Sequence, residues 1–182
     1  MIRPARRVRF RGTGEYRDEA EPLLEAAGDI ARVVRGRTRS IVIRCPDGCG
    51  ETLVINLDER AGKAWQLIER TGTVTLFPSV WKENGCKSHF VLWRDRLLWC
   101  DRFEDGNVEP PYDRALEAPV FAETSEAVSR TAQEIAIALD EIPWEVARVL
   151  RTLARWGVVD EDKGKARGFY RRRVGARSIP DR

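Results

Sequence analysis

The sequence predicts an α+β protein, with a small antiparallel β-rich core followed by a helical module. Three observations carry that prediction. From Arg39 to about Asp101 the chain runs in short segments with apolar side chains at alternate positions, the period of a half-buried strand. From Thr131 to Gly157 the apolar spacing becomes helical. Between them, "DRFEDGNVEPPYDRALEAP" is rich in proline and acid, the composition of a connection rather than of an element. The expected organisation is a β-rich domain over 1–101, a linker over 102–114 and a second module with a basic tail over 115–182.

Composition narrows the function classes. In 182 residues, 42% are hydrophobic and six are tryptophan, enough to bury a core and to exclude a disordered chain. A formal net charge of +3 does not by itself make a nucleic-acid binder. The chain has no run of about 18 apolar residues, and "MIRPARRVRFRG" lacks the apolar stretch of a signal peptide. These features lead us to expect a soluble, cytoplasmic protein with no membrane partner.

The elements follow in order. "RRVRFRG" reads as a strand. "DEAEPLLEAAG" reads as a helix, from Leu23, Leu24 and Ala27 after an acidic first turn, with Gly28 as its stop. "DIARVVRG" is again extended. Six β-like runs come next: "SIVIRC", "ETLVINL", "AWQLIER", "TVTLFPSVW", "HFVLWR" and "RLLWCD". Their breaks, "PDGCG", "RTGT", "ENG" and "WRDR", carry turn residues, so hairpins are expected. "TAQEIAIAL" opens with a capping box, Thr131 and Glu134, and places Ile135, Ala138 and Leu139 at helical spacing. "PWEVARVLRTLARWG" has Pro143 in its first turn, Gly157 at its end, and a stripe of Val146, Val149, Leu150, Leu153 and Trp156. "VVDEDKGKARGFYRRR" reads as a two-strand ribbon with a charged tip.

Four cysteines, Cys45, Cys49, Cys86 and Cys100, point to a metal rather than to disulfides in a reducing compartment. "CPDGCG" is a turn that can bring two sulfurs to one point, and thiolates close tetrahedral zinc sites. Cys86 and Cys100 flank the later hairpin and supply the other half of a structural zinc site. A second ligand set pairs Cys86 with His89 and leaves Cys100 as a small buried hydrophobe. Buried free thiols are the plain alternative to both.

His89 is the chain's one histidine. It begins the run "HFVLW" beside a turn, an edge from which a base can project, and a hairpin would return it to Ser79 in "FPSVW". A serine attacks only when a base within hydrogen-bond reach takes its proton, so any serine–histidine chemistry here runs through His89. Ser88 alternates to the other face of the strand, which makes Ser79 the candidate nucleophile. Asp101, Asp95, Asn84 and Asn56 are candidates to orient the imidazole.

Two resemblances add to this reading. Two helices on a tight turn followed by a hairpin resemble a winged helix-turn-helix. Its second helix would present Glu145, Arg148, Arg151, Thr152 and Arg155, with Arg148, Arg151 and Arg155 as docking residues for DNA or a protein. "CPDGCGETLVINL", "TVTLFPSVW" and "GCKSHFVLWRDRLLWC", from about Ser40 to Asp101, resemble a cysteine-rich bacterial family of unknown function. Members of that family occur in phages and beside ubiquitin-like conjugation genes. The resemblance implies partners in the form of a ubiquitin-like protein and its conjugating enzymes. It also implies a peptidase role, trimming the modifier or removing it from targets, with Ser79 attacking and His89 moving the proton. "SHFVLW" is further similar to the histidine strand of papain-like peptidases. Without that role, the chain reads as a zinc-binding adaptor of the pathway or as a DNA-binding regulator.

Overall fold

The computed structural model describes residues 4–102 and 106–180. The chain divides into two compact units, Met1–Glu109 and Pro110–Arg182. Residues 103–105 of the expected linker lie outside the described residues.

The described residues of the first unit include nine strands. β1 (Arg9–Gly14), β2 (Asp29–Arg35), β3 (Arg37–Arg44) and β4 (Thr52–Asn56) form one sheet in chain order, with β1 parallel to β2 and the other pairs antiparallel. β5 (Gln66–Arg70) and β6 (Thr73–Phe77) form a hairpin, and β7 (Val80–Trp81), β8 (His89–Trp93) and β9 (Arg96–Trp99) form a third antiparallel set. Alternation decides which side chains go inside. Ile30, Ile41, Ile43 and Ile55 from the first sheet meet Val74, Leu76, Val80, Phe90, Leu92, Leu97 and Trp99 in one buried cluster. The opposite face of the first sheet, with Ala31, Val33 and Val42, is covered by Ala20 and Leu24.

The helix expected over "DEAEPLLEAAG" is shorter than its apolar spacing suggests. α1 covers Arg17–Ala20, a 3-10 turn covers Glu21–Leu23, and Leu24 is extended. Pro22 has no N–H to continue an α-helical ladder, so the chain leaves the helix there.

In the second unit, α2 (Glu117–Ala122) is followed by β10 (Arg130–Thr131), α3 (Ala132–Leu139), α4 (Pro143–Arg155), β11 (Val159–Glu161) and β12 (Phe169–Arg172). The strands form a sheet in the order β10-β12-β11. The Thr131–Glu134 capping box is present, and Pro143 starts α4. α2 falls partly in the stretch read as a loop, because Pro119 sits in its first turn, where a missing N–H costs nothing. Ile135 and Ala136 are the buried residues of α3, while Ala138 faces solvent. Glu145 and Thr152, expected on the exposed face of α4, are buried. Among the described residues, no helix is long and apolar enough to cross a membrane.

Candidate active site

The outer face of the β7–β8 pair brings Ser79 and His89 together. Val80 and Phe90 are opposite one another and point into the core, so their neighbours point out. Trp81 pairs with His89, and Ser79 lies two residues before Trp81 on the same face. The result is an Oγ of Ser79 at 3.1 Å from Nε2 of His89, within hydrogen-bond reach. The Trp81 and His89 rings are tilted against each other with centroids 6.0 Å apart.

Behind the imidazole, Oδ2 of Asp101 lies 3.5 Å from Nδ1 of His89. Asp95 and Asn56 are engaged elsewhere. Asp95 sits in the β8–β9 turn and accepts from the Val74 N–H. Asn56 donates to the Asp58 and Lys63 carbonyls and accepts from the Asp58 N–H. The backbone carbonyl of Asn84 accepts from Lys82. Asp101 reaches His89 because the Cys100 N–H donates to the His89 carbonyl, which continues the β9 ladder just past Trp99. Its side chain is 73% exposed and that of His89 30%, so the row is shallow and open to solvent.

Two further features border Ser79. A cis Phe77–Pro78 bond joins β6 to β7. The indole N–H of Trp65 donates to the Ser79 carbonyl at 3.2 Å, while the ring packs against the first unit's core. Nothing in the spacing of Trp65 and Ser79 announces this contact, because it depends on where β5 begins.

Three of the cysteines gather at the same corner, Cys45 buried, Cys86 half-buried and Cys49 exposed. Sγ atoms of Cys45, Cys49 and Cys86 lie within 4.8 Å of one another. Gly48 and Gly50, both with positive φ, allow the "CPDGCG" turn to curl tightly enough to do this. Cys45 Sγ is 3.6 Å from Cys86 Sγ, close to the roughly 3.8 Å between two thiolates on one tetrahedral zinc. Ser88, buried and on the opposite face from His89, places its Oγ 3.5 Å from Cys45 Sγ. Burial pushes the Cys45 thiol up to about 12, against the lowering pull of the Ser88 hydroxyl. Cys86 also feels burial, yet the Ser88 hydroxyl and amide and the neighbouring thiols bring it below the ordinary thiol value. The three sulfurs therefore fit one soft cation.

Cys100 is not part of this group. Trp99 points into the core, so Cys100 alternates outward, onto the face that carries His89. Partial burial and the adjacent Asp101 carboxylate raise its pKa. Among the described residues the close group thus holds three of the four cysteines of the first ligand set, and His89 of the second set lies against Ser79 and Asp101.

In the second unit, Arg151 and Arg155 are exposed on α4, whereas Arg148 is half-buried with its guanidinium 6.0 Å from the Tyr112 ring centroid. Arg155 donates to the Thr152 hydroxyl.

Residues 16–100 match the model of a protein family described as "Bacterial ubiquitination-like system serine protease (BubE)". The match takes in just under half of the chain. It includes Ser79, His89 and all four cysteines, and it stops one residue short of Asp101. It starts well before Ser40 and so covers β2, which pairs with β3 in the same sheet. No curated protein and no solved structure matches the chain.

Proposed function

We propose that this chain is a cytoplasmic serine peptidase that trims a bacterial ubiquitin-like protein or removes it from its targets. The observation that carries the reading is the Ser79–His89 contact of 3.1 Å, with Asp101 behind it, inside or directly beside the stretch similar to serine proteases of ubiquitination-like systems. In the forward step, Ser79 Oγ bonds to the carbonyl carbon of the modifier's last residue while its proton passes to His89 Nε2. The C–N bond then breaks, and His89 returns that proton to the leaving amine. Water repeats the sequence on the ester, giving a free carboxylate and restoring Ser79. Asp101 steadies the imidazolium that forms in each half.

Cys45, Cys49 and Cys86 would hold zinc as a structural ion, with Ser88 beside them. A zinc bound there ties the β3–β4 turn to the segment just before His89, and no reaction step needs it. The second unit we read as a winged-helix module, on the order α2-β10-α3-α4-β11-β12 and its three-stranded sheet. Arg151 and Arg155 face outward and suit partner docking, while Arg148 serves α4 packing against Tyr112 as well.

The test is intact mass after incubation with an electrophilic serine probe, for the wild type, Ser79→Ala and His89→Ala. One adduct on Ser79 in the wild type, and loss of labelling of at least about 10³-fold in both folded variants, is the expected result. Labelling that survives His89→Ala at the wild-type rate overturns it.

A further inference from the structure

The same corner leaves part of a strand edge open. β5 pairs with β6 as far as Gln66 opposite Phe77, and β7 has β8 as its one partner strand among the described residues. Which backbone groups of β7 face outward follows from the ladder. The Lys82 N–H donates to the Ser88 carbonyl, so Lys82 and Ser88 are a hydrogen-bonded pair. In an antiparallel ladder such pairs alternate, so Trp81 and His89 form the non-hydrogen-bonded pair between them. The N–H and C=O of Trp81 therefore point away from β8. The carbonyl of Ser79 points the same way, and there the Trp65 indole meets it. Trp65 thus closes the edge at the nucleophile, and the next outward-facing peptide groups are those of Trp81. The Trp81 side chain, 60% exposed, stands on the same face as Ser79 and His89.

We infer that the outer edge of β7 at Trp81 is the substrate-binding strand of the site. There the peptide N–H and C=O of Trp81 pair with one residue of an extended polypeptide whose scissile carbonyl lies at Ser79. The occupant is the extended tail of the acyl partner. A chain bonded to the nucleophile must pass beside it, and an unpaired edge supplies main-chain hydrogen bonds without demanding a side-chain sequence. The Trp81 indole then covers the tail's backbone, which explains why a large aromatic residue is left in water next to the reacting groups. This inference rests on the peptidase reading. It adds that the substrate is recognised as a strand, so a folded loop or a single amino-acid amide is a poor substrate.

The experiment uses the full chain and three kinds of probe. One is a small alkyl fluorophosphonate. The second is a blocked tetra-alanine diphenyl phosphonate. The third is a set of that peptide's analogues, each with one backbone amide N-methylated. Ser79 labelling is followed by intact mass, together with native mass for the assembly state. The expected result is that the small probe labels Ser79, that the peptide phosphonate labels it faster than its blocked mono-alanine counterpart by at least tenfold, and that one N-methyl analogue loses this gain while the others keep it. Equal rates for all N-methyl analogues, with Ser79 still labelled by the small probe, overturn strand pairing and leave the serine–histidine reading standing. A peptide that gains nothing over the mono-alanine compound does the same. A stable dimer that blocks the peptide probes but dissociates in a Trp81→Lys variant assigns the edge to a second copy and overturns the inference. No labelling of Ser79 by any probe overturns both readings.

Discussion

Two groups of reactive side chains flank one corner of the first unit, and they are held by different forces. Ser79, His89 and Asp101 stand on or beside a hydrogen-bonded ladder, and the inward neighbours of the first two, Val80 and Phe90, are locked in the core. The cysteines sit on two turns, one between β3 and β4 and one before β8, which approach each other with little ladder between them. The open row can thus keep its geometry with solvent beside it. The sulfur cluster, buried at Cys45 and exposed at Cys49, joins two turns that share no strand pairing among the described residues, so a cation held by the sulfurs would add a tie between them.

The largest effect that tests this contrast is loss of the zinc proposed for the cysteine cluster. Cys45→Ala should release bound zinc and destabilise the first unit by about 3 kcal/mol or more, whereas Cys100→Ala should leave metal content unchanged. Zinc per chain by elemental analysis, with denaturant melts, checks both. Equal loss from the two variants would put Cys100 back among the ligands and break the distinction between the faces.

A turn closed from within offers the next comparison. Asp29 is buried and accepts from the N–H groups of Glu25 and Ala26 and from Arg9 at 2.8 Å, so it pins the loop before β2 as a cation would pin the cysteine turns. Burial alone raises its pKa, but the Ala26 N–H, Arg9 and the Glu25 N–H outweigh it and hold the carboxyl below its ordinary value of 3.8. A carboxylate with a lowered folded pKa adds stability above its unfolded pKa, and that stability is lost as pH falls through the folded value. Asp29→Asn should therefore cost about 2 kcal/mol at pH 7 and progressively less below pH 4, read from melts across that range. A cost that does not change with pH would mean that packing, not charge, holds this loop.

How much of this was legible in the sequence depends on sequence distance. The capping box at Thr131 and the start of α4 at Pro143 are set by neighbours a few residues apart, so the letters suffice. The Ser79–His89 pair was within reach because one hairpin joins them and the chain has a single histidine. That Asp101 and not Asp95 stands beside His89 needed the hairpin register. Arg94 and Asp95 take the two left-handed positions of the turn, which commits Asp95 to Val74 and leaves Asp101 past the end of β9. The place of Cys100 outside the close sulfur group was hidden for the same reason, since spacing does not reveal which face a residue takes after Trp99. Trp65 was not legible at all. It is fourteen residues from Ser79, and the contact joins an indole to a carbonyl that any residue would offer.

The smallest effect sharpens the comparison most. An aspartate that is buried and tightly bonded to its histidine contributes about 10⁴ to turnover, because it both orients the ring and stabilises its positive charge in a dry site. Asp101 is 73% exposed and 3.5 Å from Nδ1, so water and salt screen its charge and other hydrogen-bond partners can replace it. Orientation by the strand, through the Cys100 N–H on the His89 carbonyl, survives its loss. Asp101→Asn should accordingly lower the rate of Ser79 labelling by about tenfold, or about 1.4 kcal/mol, and the deficit between wild type and variant should shrink as salt is raised. A loss near 10⁴-fold would mean that substrate covers Asp101 and dries the row during reaction. The open row would then resemble the proposed zinc cluster in needing a ligand to complete it.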